Sequence, residues 1–219
     1  RSKKGWSILD AIEYFEKNSY VIIKDILPKE VTKFIYNYFV MKGCTNQDFS
    51  TSLDQGEDIS LKACYGDLNA ETICSFLNPT INYYVKKDLC PTYTYSRIYL
   101  TGMDLKAHRD RPSCEYSITL NLGGDPWPIY FGERDDNSDY HYPDMQKEKL
   151  TKLKILNKEN CLLEPGDAAI YMGEKLWHWR EPFEGDHCVQ TFLHYIDKEG
   201  EHYPKHAYDG RPNLGFIKK

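Results

Sequence analysis

The sequence has no apolar run approaching the roughly 20 residues that a membrane-spanning helix needs. Its longest apolar stretches, such as residues 20–23, have only the length of a strand. The first 20 residues also lack the contiguous apolar core of a secretory signal. We therefore expect a cytoplasmic protein that does not bind membranes.

The sequence also has no excess of positive charge, since it contains 28 lysines and arginines against 33 aspartates and glutamates. Nucleic-acid binders neutralise phosphates with basic side chains, so a net charge of −5 predicts no nucleic-acid partner. The hydrophobic share of 41% excludes a disordered chain. The seven cysteines include no CxxC pair, which argues against a disulfide framework and against a structural zinc site.

The first 90 residues contain mostly helical patterns. Apolar residues at helical spacing predict helices over 8–18, 28–43 and 73–84, and Pro79 is expected to kink or divide the third. The β-branched run 20–26 predicts a strand. The polar stretch 44–67 predicts a long loop, either a solvated surface or a lid.

After Pro91 the pattern changes to short apolar runs separated by glycine, proline and aspartate. Eight strands are predicted, at 92–100, 116–122, 127–131, 151–156, 161–163, 167–172, 176–180 and 188–196. Such spacing is typical of an antiparallel sandwich, jelly roll or barrel. We expect an α+β protein with one domain over 1–219, made of a helix-rich supporting region over 1–90 and a mainly β core over 91–200.

A candidate metal site begins with His108 and Asp110. In an extended segment these side chains point to the same face, because they are two residues apart. His178 follows the apolar run 168–172 and is the best candidate for a third ligand from an opposing strand. Two histidines and one carboxylate form the facial triad that binds non-haem Fe(II), although zinc with the same ligands remains open.

Five segments of the sequence carry a family resemblance, namely 97–102, 105–115, 163–171, 177–182 and 189–195. Together they resemble the Fe(II)/2-oxoglutarate-dependent dioxygenases, most closely the prolyl-4-hydroxylase-like branch. The resemblance implies a double-stranded β-helix, or jelly roll, with the N-terminal helices packed outside it. It also implies that His108, Asp110 and His178 bind the iron, that 2-oxoglutarate and O2 are cosubstrates, and that the enzyme is a hydroxylase releasing succinate and CO2.

The cation for the far carboxylate of 2-oxoglutarate departs from the family pattern. Relatives carry a lysine or arginine about ten residues after the second histidine, where this sequence has His187 and Cys188. Arg180 shares a strand face with His178 and can bind a carboxylate through two parallel hydrogen bonds. We therefore favour Arg180, and His187 remains the alternative.

The resemblance adds three cosubstrate-binding residues, Tyr99, Asn121 and Thr191. If Thr191 faces the cavity, strand alternation turns Gln190 and His194 away from it. His194 is then not expected to bind the metal.

Two other functions remain open at this stage. One is a cupin-type metal enzyme without an oxoacid cosubstrate, and the other is a non-catalytic jelly-roll module that binds a ligand through its aromatic mouth. For the dioxygenase, the substrate class implied by the resemblance is an amino acid, a peptidyl side chain or a small metabolite.

Overall fold

The computed structural model describes residues 7–45, 62–136 and 160–216. Its α-helices are α1 (Ile8–Asn18), α2 (Lys29–Thr45) and α3 (Leu68–Val85). The strands are β1 (Tyr20–Ile23), β2 (Lys62–Tyr65), β3 (Leu89–Leu100), β4 (Leu105–His108), β5 (Tyr116–Gly124), β6 (Ile129–Arg134), β7 (Asn160–Cys161), β8 (Ala168–Tyr171), β9 (Leu176–Arg180) and β10 (His187–Asp197). No helix within the described ranges is long and apolar enough to cross a membrane.

The strands form two antiparallel sheets. The large sheet has six strands in the order β1-β8-β5-β10-β3-β2, and the small sheet has four in the order β4-β9-β6-β7. The sheets face each other, since Arg180 of the small sheet lies within hydrogen-bonding distance of Thr119 and Gln190 of the large sheet. Their inner faces enclose the interior in which the candidate site lies.

The outer face of the large sheet is apolar and is covered by the helices. Ile118 and Leu120 of β5 belong to one buried core together with Phe15, Ile35 and other helix side chains. Because side chains alternate along a strand, the opposite face of β5 is polar and carries Ser117, Thr119 and Asn121. The large sheet therefore separates an apolar outer core from a polar interior.

The helix starts follow from local chemistry. Ser7 caps α1 with its hydroxyl, which accepts a hydrogen bond from the backbone N–H of Asp10 at 3.2 Å, while the Asp10 carboxylate accepts the Ser7 N–H at 3.1 Å. Asp67 caps α3 by accepting hydrogen bonds from the backbone N–H groups of Asn69 and Ala70. α1 has the predicted bounds.

The third helix and two strands differ from the prediction. α3 runs from Leu68 to Val85 without interruption at Pro79, because buried Leu77 and Ile81 hold both sides of the proline against the sheet. β2 lies inside the predicted loop 44–67, where its pairing with β3 outweighs a weak strand pattern. β4 was not among the predicted strands. The predicted strand 151–156 lies outside the described residues.

The C-terminal segment is fixed to α3 by a buried ion pair. Arg211 donates to Glu71 at 2.6 Å, and both side chains are 2% exposed. Arg211 also donates to the backbone carbonyls of Thr92 and Phe216, so the guanidinium joins the C-terminal segment to β3.

Removal of one partner from this pair is expected to destabilise the protein strongly. We expect Glu71→Ala to lower the free energy of unfolding by about 3–5 kcal/mol, because the Arg211 charge stays buried without its partner. Urea denaturation followed by circular dichroism measures this change. Glu16→Ala is the matched control, since Glu16 pairs with Lys86 on the surface and is expected to contribute less than about 1 kcal/mol. Equal losses in the two variants would contradict the prediction.

Candidate metal site

The three predicted ligands lie together between the two sheets. His108 ends β4 directly opposite His178 on β9. Oδ1 of Asp110, in the loop after β4, lies 3.4 Å from Nε2 of His108 and 3.5 Å from Nε2 of His178. One ligand atom from each residue lies within 4.8 Å of the other two, a spacing that fits a single metal ion.

Backbone carbonyls set the orientation of both imidazoles. Nδ1 of His108 lies 2.7 Å from the carbonyl oxygen of Lys106, and Nδ1 of His178 lies 2.9 Å from that of Leu176. A carbonyl oxygen only accepts, so each Nδ1 carries the proton and each Nε2 presents its lone pair toward Asp110. This is the usual way in which metal-binding histidines are held.

The charge states also suit metal binding. Burial by itself raises the pKa of Asp110, but His178 and His108 outweigh this effect and hold the pKa well below its usual value. Burial, followed by repulsion from His108, lowers the pKa of His178. Asp110 is therefore an anion and His178 is neutral at pH 7, which are the forms that bind a metal.

Two residues behind Asp110 hold its carboxylate in place. The Ser117 hydroxyl donates to Oδ2 of Asp110 at 2.7 Å and lies 2.9 Å from Nδ1 of His194. Burial lowers the pKa of His194 to about 4, so its imidazole is neutral and donates from Nδ1 to the serine. The backbone N–H of Asp110 donates to the Gly173 carbonyl at 2.8 Å, and a Cβ on Gly173 would lie 2.3 Å from Oδ2. Asp110 therefore keeps Oδ1 directed toward the histidines.

The predicted orientation of β10 is wrong. Thr191 lies on the outer face, where its hydroxyl is 3.0 Å from that of Ser96 and where Val189 and Leu193 contact the helix core. Gln190 and His194 face the interior instead. The reason is that the helices cover the apolar face of β10, which leaves the polar face to line the site. His194 and Cys114 come close enough to Asp110 for a second group of possible ligands.

Arg180 lies in the interior and His187 does not. Arg180 is 2% exposed, donates from Nη1 to the Trp127 carbonyl, and places Nη2 3.4 Å from the Thr119 hydroxyl. Its Nε is buried and has no hydrogen-bond partner among the residues that the structure describes. His187 faces outward, against the Tyr36 hydroxyl of α2. Of the two candidate cations, only Arg180 reaches the same interior as the metal ligands.

The other two predicted cosubstrate residues also face the interior. Tyr99 is 1% exposed, and its ring centroid lies 4.7 Å from that of Trp127. The Asn121 amide is used by the protein itself, since it donates to the Leu163 carbonyl at 2.6 Å and accepts from Gln190 at 3.1 Å. Asn121 therefore has a clear structural role at the edge of the interior.

The sequence interpretation did not identify Thr119, Gln190, Ser117 or Gly173. Thr119 and Gln190 lie next to Arg180, and Ser117 and Gly173 lie next to Asp110. The alternation of polar and apolar residues in β5 and β10 was the available signal. It identifies the interior positions once the apolar faces of both strands are assigned to the helices.

Two facing antiparallel sheets, with a His-x-Asp pair and a distant histidine between them, form the double-stranded β-helix found in 2-oxoglutarate-dependent oxygenases. No family model matches this sequence, and no curated protein matches it. Solved structures do match. The non-haem α-ketoglutarate-dependent epimerase SnoN from nogalamycin biosynthesis aligns with a TM-score of 0.68 at 9% identity, over 87% of this chain and 83% of its own.

Two further solved structures have the same fold. EctD from S. alaskensis, with 2-oxoglutarate and 5-hydroxyectoine, aligns with a TM-score of 0.64 at 11% identity, over 98% of this chain and 90% of its own. A Pseudomonas putida prolyl-4-hydroxylase aligns with a TM-score of 0.59 at 11% identity, over 87% of this chain and 99% of its own. The predicted fold class is therefore confirmed.

Proposed function

We propose that this protein is an Fe(II)- and 2-oxoglutarate-dependent dioxygenase, most simply a hydroxylase. The observation that carries the proposal is the arrangement of His108, Asp110 and His178, whose ligand atoms lie within 4.8 Å of one another. Three protein ligands leave positions on the metal for an oxoacid and O2. We further propose that the chain forms one catalytic domain that acts in the cytoplasm.

The donor set fits Fe(II). Two imidazoles and one carboxylate are borderline and hard ligands, and no thiolate belongs to the triad. Bound at this triad, Fe(II) would supply the activation of O2 that the side chains cannot provide. The roles of the chain itself are to hold the metal through His108 and His178 and to fix Asp110 through Ser117 and His194.

The surroundings of Arg180 fit the far carboxylate of 2-oxoglutarate. Arg180 lies two residues beyond His178, which is about 7 Å along the strand. Thr119 lies the same distance beyond Ser117, the residue that holds the Asp110 carboxylate. An extended five-carbon oxoacid chelated at the metal reaches over a comparable distance. A buried guanidinium next to a hydroxyl provides charge-assisted hydrogen bonds for a carboxylate there. Tyr99 would close the far end of this pocket.

The occupied carboxylate position favours hydroxylation of an unactivated C–H bond, with release of succinate and CO2. Related halogenases have a small residue in place of the carboxylate ligand and leave that position open, whereas Asp110 occupies it here. The substrate class that we propose is an amino acid, a peptidyl side chain or a small metabolite. Among proteins of this fold, SnoN has been crystallised with nogalamycin RO, and EctD with 5-hydroxyectoine.

An anaerobic titration tests the proposal. The protein is loaded with Fe(II) and titrated with 2-oxoglutarate, and visible absorption is recorded, with zinc-loaded protein as the control. We expect a weak metal-to-ligand charge-transfer band that saturates only with iron. Bound iron without the band would indicate an enzyme of the cupin type that needs no oxoacid. No bound metal would favour the non-catalytic binding module.

A further inference from the structure

A second buried guanidinium, that of Arg97, lies in the interior. Arg97 is on β3, directly opposite Gln190 of β10 and Ala63 of β2, and is 7% exposed. Its strand neighbour Ile98 packs in the outer helix core, so alternation directs Arg97 inward.

Arg97 has no anionic partner in the part of the chain that the structure describes. Its side chain makes no hydrogen bond or ion pair there, and its Nε is buried without an acceptor. The guanidinium lies 4.5 Å from the Tyr99 ring centroid. Buried Arg211, by contrast, pairs with Glu71. Burial of an unpaired charge is costly, so the site of Arg97 suits an anion that the described residues do not supply.

Arg97 and Arg180 border the same space. Gln190 is the register partner of Arg97, and its Oε1 lies 3.5 Å from Nη2 of Arg180. Arg97 lies over Tyr99, and Arg180 lies 4.9 Å from the ring centroid of Trp127, the residue that packs against Tyr99. The two guanidiniums therefore lie in the same part of the interior and come from opposite sheets.

The hydrogen-bond capacity of the two arginines differs. Nη1 of Arg180 already donates to the Trp127 carbonyl, and its Nη2 is directed toward Thr119 and Gln190. A carboxylate has room for about four hydrogen bonds. Arg180 therefore has its Nε and part of its Nη2 left for a carboxylate, and the unpaired side chain of Arg97 supplies the further donors that such a group can accept.

We propose that Arg97 is a second cation for the far carboxylate of the oxoacid, so that two guanidiniums hold this group between the sheets. This inference rests on the proposed function and deepens it. Two cations select a dicarboxylate oxoacid such as 2-oxoglutarate over a monocarboxylate oxoacid such as pyruvate. The selection depends on Arg97 as well as on Arg180.

The test compares the binding of two oxoacids to variants of the Fe(II)-loaded protein without O2. The dissociation constants of 2-oxoglutarate and pyruvate are measured from their charge-transfer bands. We expect Arg97→Gln to weaken 2-oxoglutarate binding about 10- to 100-fold, because charge-assisted hydrogen bonds to the far carboxylate are lost. Pyruvate has no such carboxylate, so its dissociation constant is expected to change less than about twofold. Arg97→Lys keeps the positive charge but loses the paired donors of the guanidinium. Its affinity for 2-oxoglutarate is expected to lie between those of the wild type and Arg97→Gln.

Arg134→Gln is the control, since Arg134 is 41% exposed and pairs with Asp136 at the surface. Thermal melts verify that each variant is folded. An unchanged 2-oxoglutarate constant in Arg97→Gln would refute the inference and leave the proposed function intact. Equal losses for both oxoacids would refute it as well, since they would indicate a general packing defect. A wild-type protein without a saturating band would refute the proposed function itself.

Discussion

The variant His178→Ala is expected to lose bound iron and all oxoacid turnover. His178 is the ligand that comes from β9, whereas His108 and Asp110 lie next to each other in the chain. Without it, the two remaining ligands bind the metal from one side only. Removal of a group that merely orients a ligand costs about 10- to 100-fold in metal affinity, so loss of a ligand is expected to cost more.

Two measurements test this expectation, metal analysis after reconstitution and consumption of 2-oxoglutarate. His187→Ala is the matched control, because His187 lies on the outer face next to Tyr36 and is expected to retain iron. His178→Asn, which keeps more of the side-chain volume, separates metal loss from a cavity effect on folding. Full oxoacid consumption by His178→Ala would show that the triad is assigned incorrectly.

The close approach of the triad could be predicted in part from the sequence. The two-residue spacing of His108 and Asp110 is a local property of an extended segment and needs no knowledge of the fold. The position of His178 opposite His108 depends on the pairing of β4 with β9, which no local pattern specifies. The sequence pattern made His178 the best candidate on an opposing strand, and the family resemblance supported that choice.

The support behind Asp110 could not be derived in the same way. Whether His194 or Thr191 faces the site depends on which face of β10 the helices cover. The sequence interpretation chose the face of Thr191 by analogy and reversed the strand. The apolar residues Val189 and Leu193 carried the correct signal, since a face covered by amphipathic helices must be apolar.

The fold differs from the prediction where tertiary contacts override local pattern. The four residues of β2 become a strand only because β3 offers an edge with which they pair. Pro79 does not divide α3, because the helix is held by its buried face on both sides of the proline. Neither difference affects how close His108, Asp110 and His178 lie to one another.

The variant Arg180→Gln is expected to raise the apparent KM for 2-oxoglutarate strongly. Hydrogen bonds from a charged group contribute about 1.5–3 kcal/mol, which corresponds to roughly 10- to 100-fold in KM. The turnover number at saturating 2-oxoglutarate is expected to fall much less, since Arg180 does not bind the metal. Turnover as a function of 2-oxoglutarate concentration separates the two effects.

Arg180 also holds the Trp127 carbonyl, so its replacement could weaken the interior as well as the carboxylate site. Arg180→Lys keeps the charge and loses the fork, and is expected to restore part of the affinity if charge is the main contribution. A structural role alone would lower thermal stability and turnover without a selective rise in KM. An unchanged KM in Arg180→Gln, together with a raised KM in His187→Ala, would transfer the role to His187. The geometry argues against that outcome, because the ring of His187 is separated from the interior by the strand that carries it.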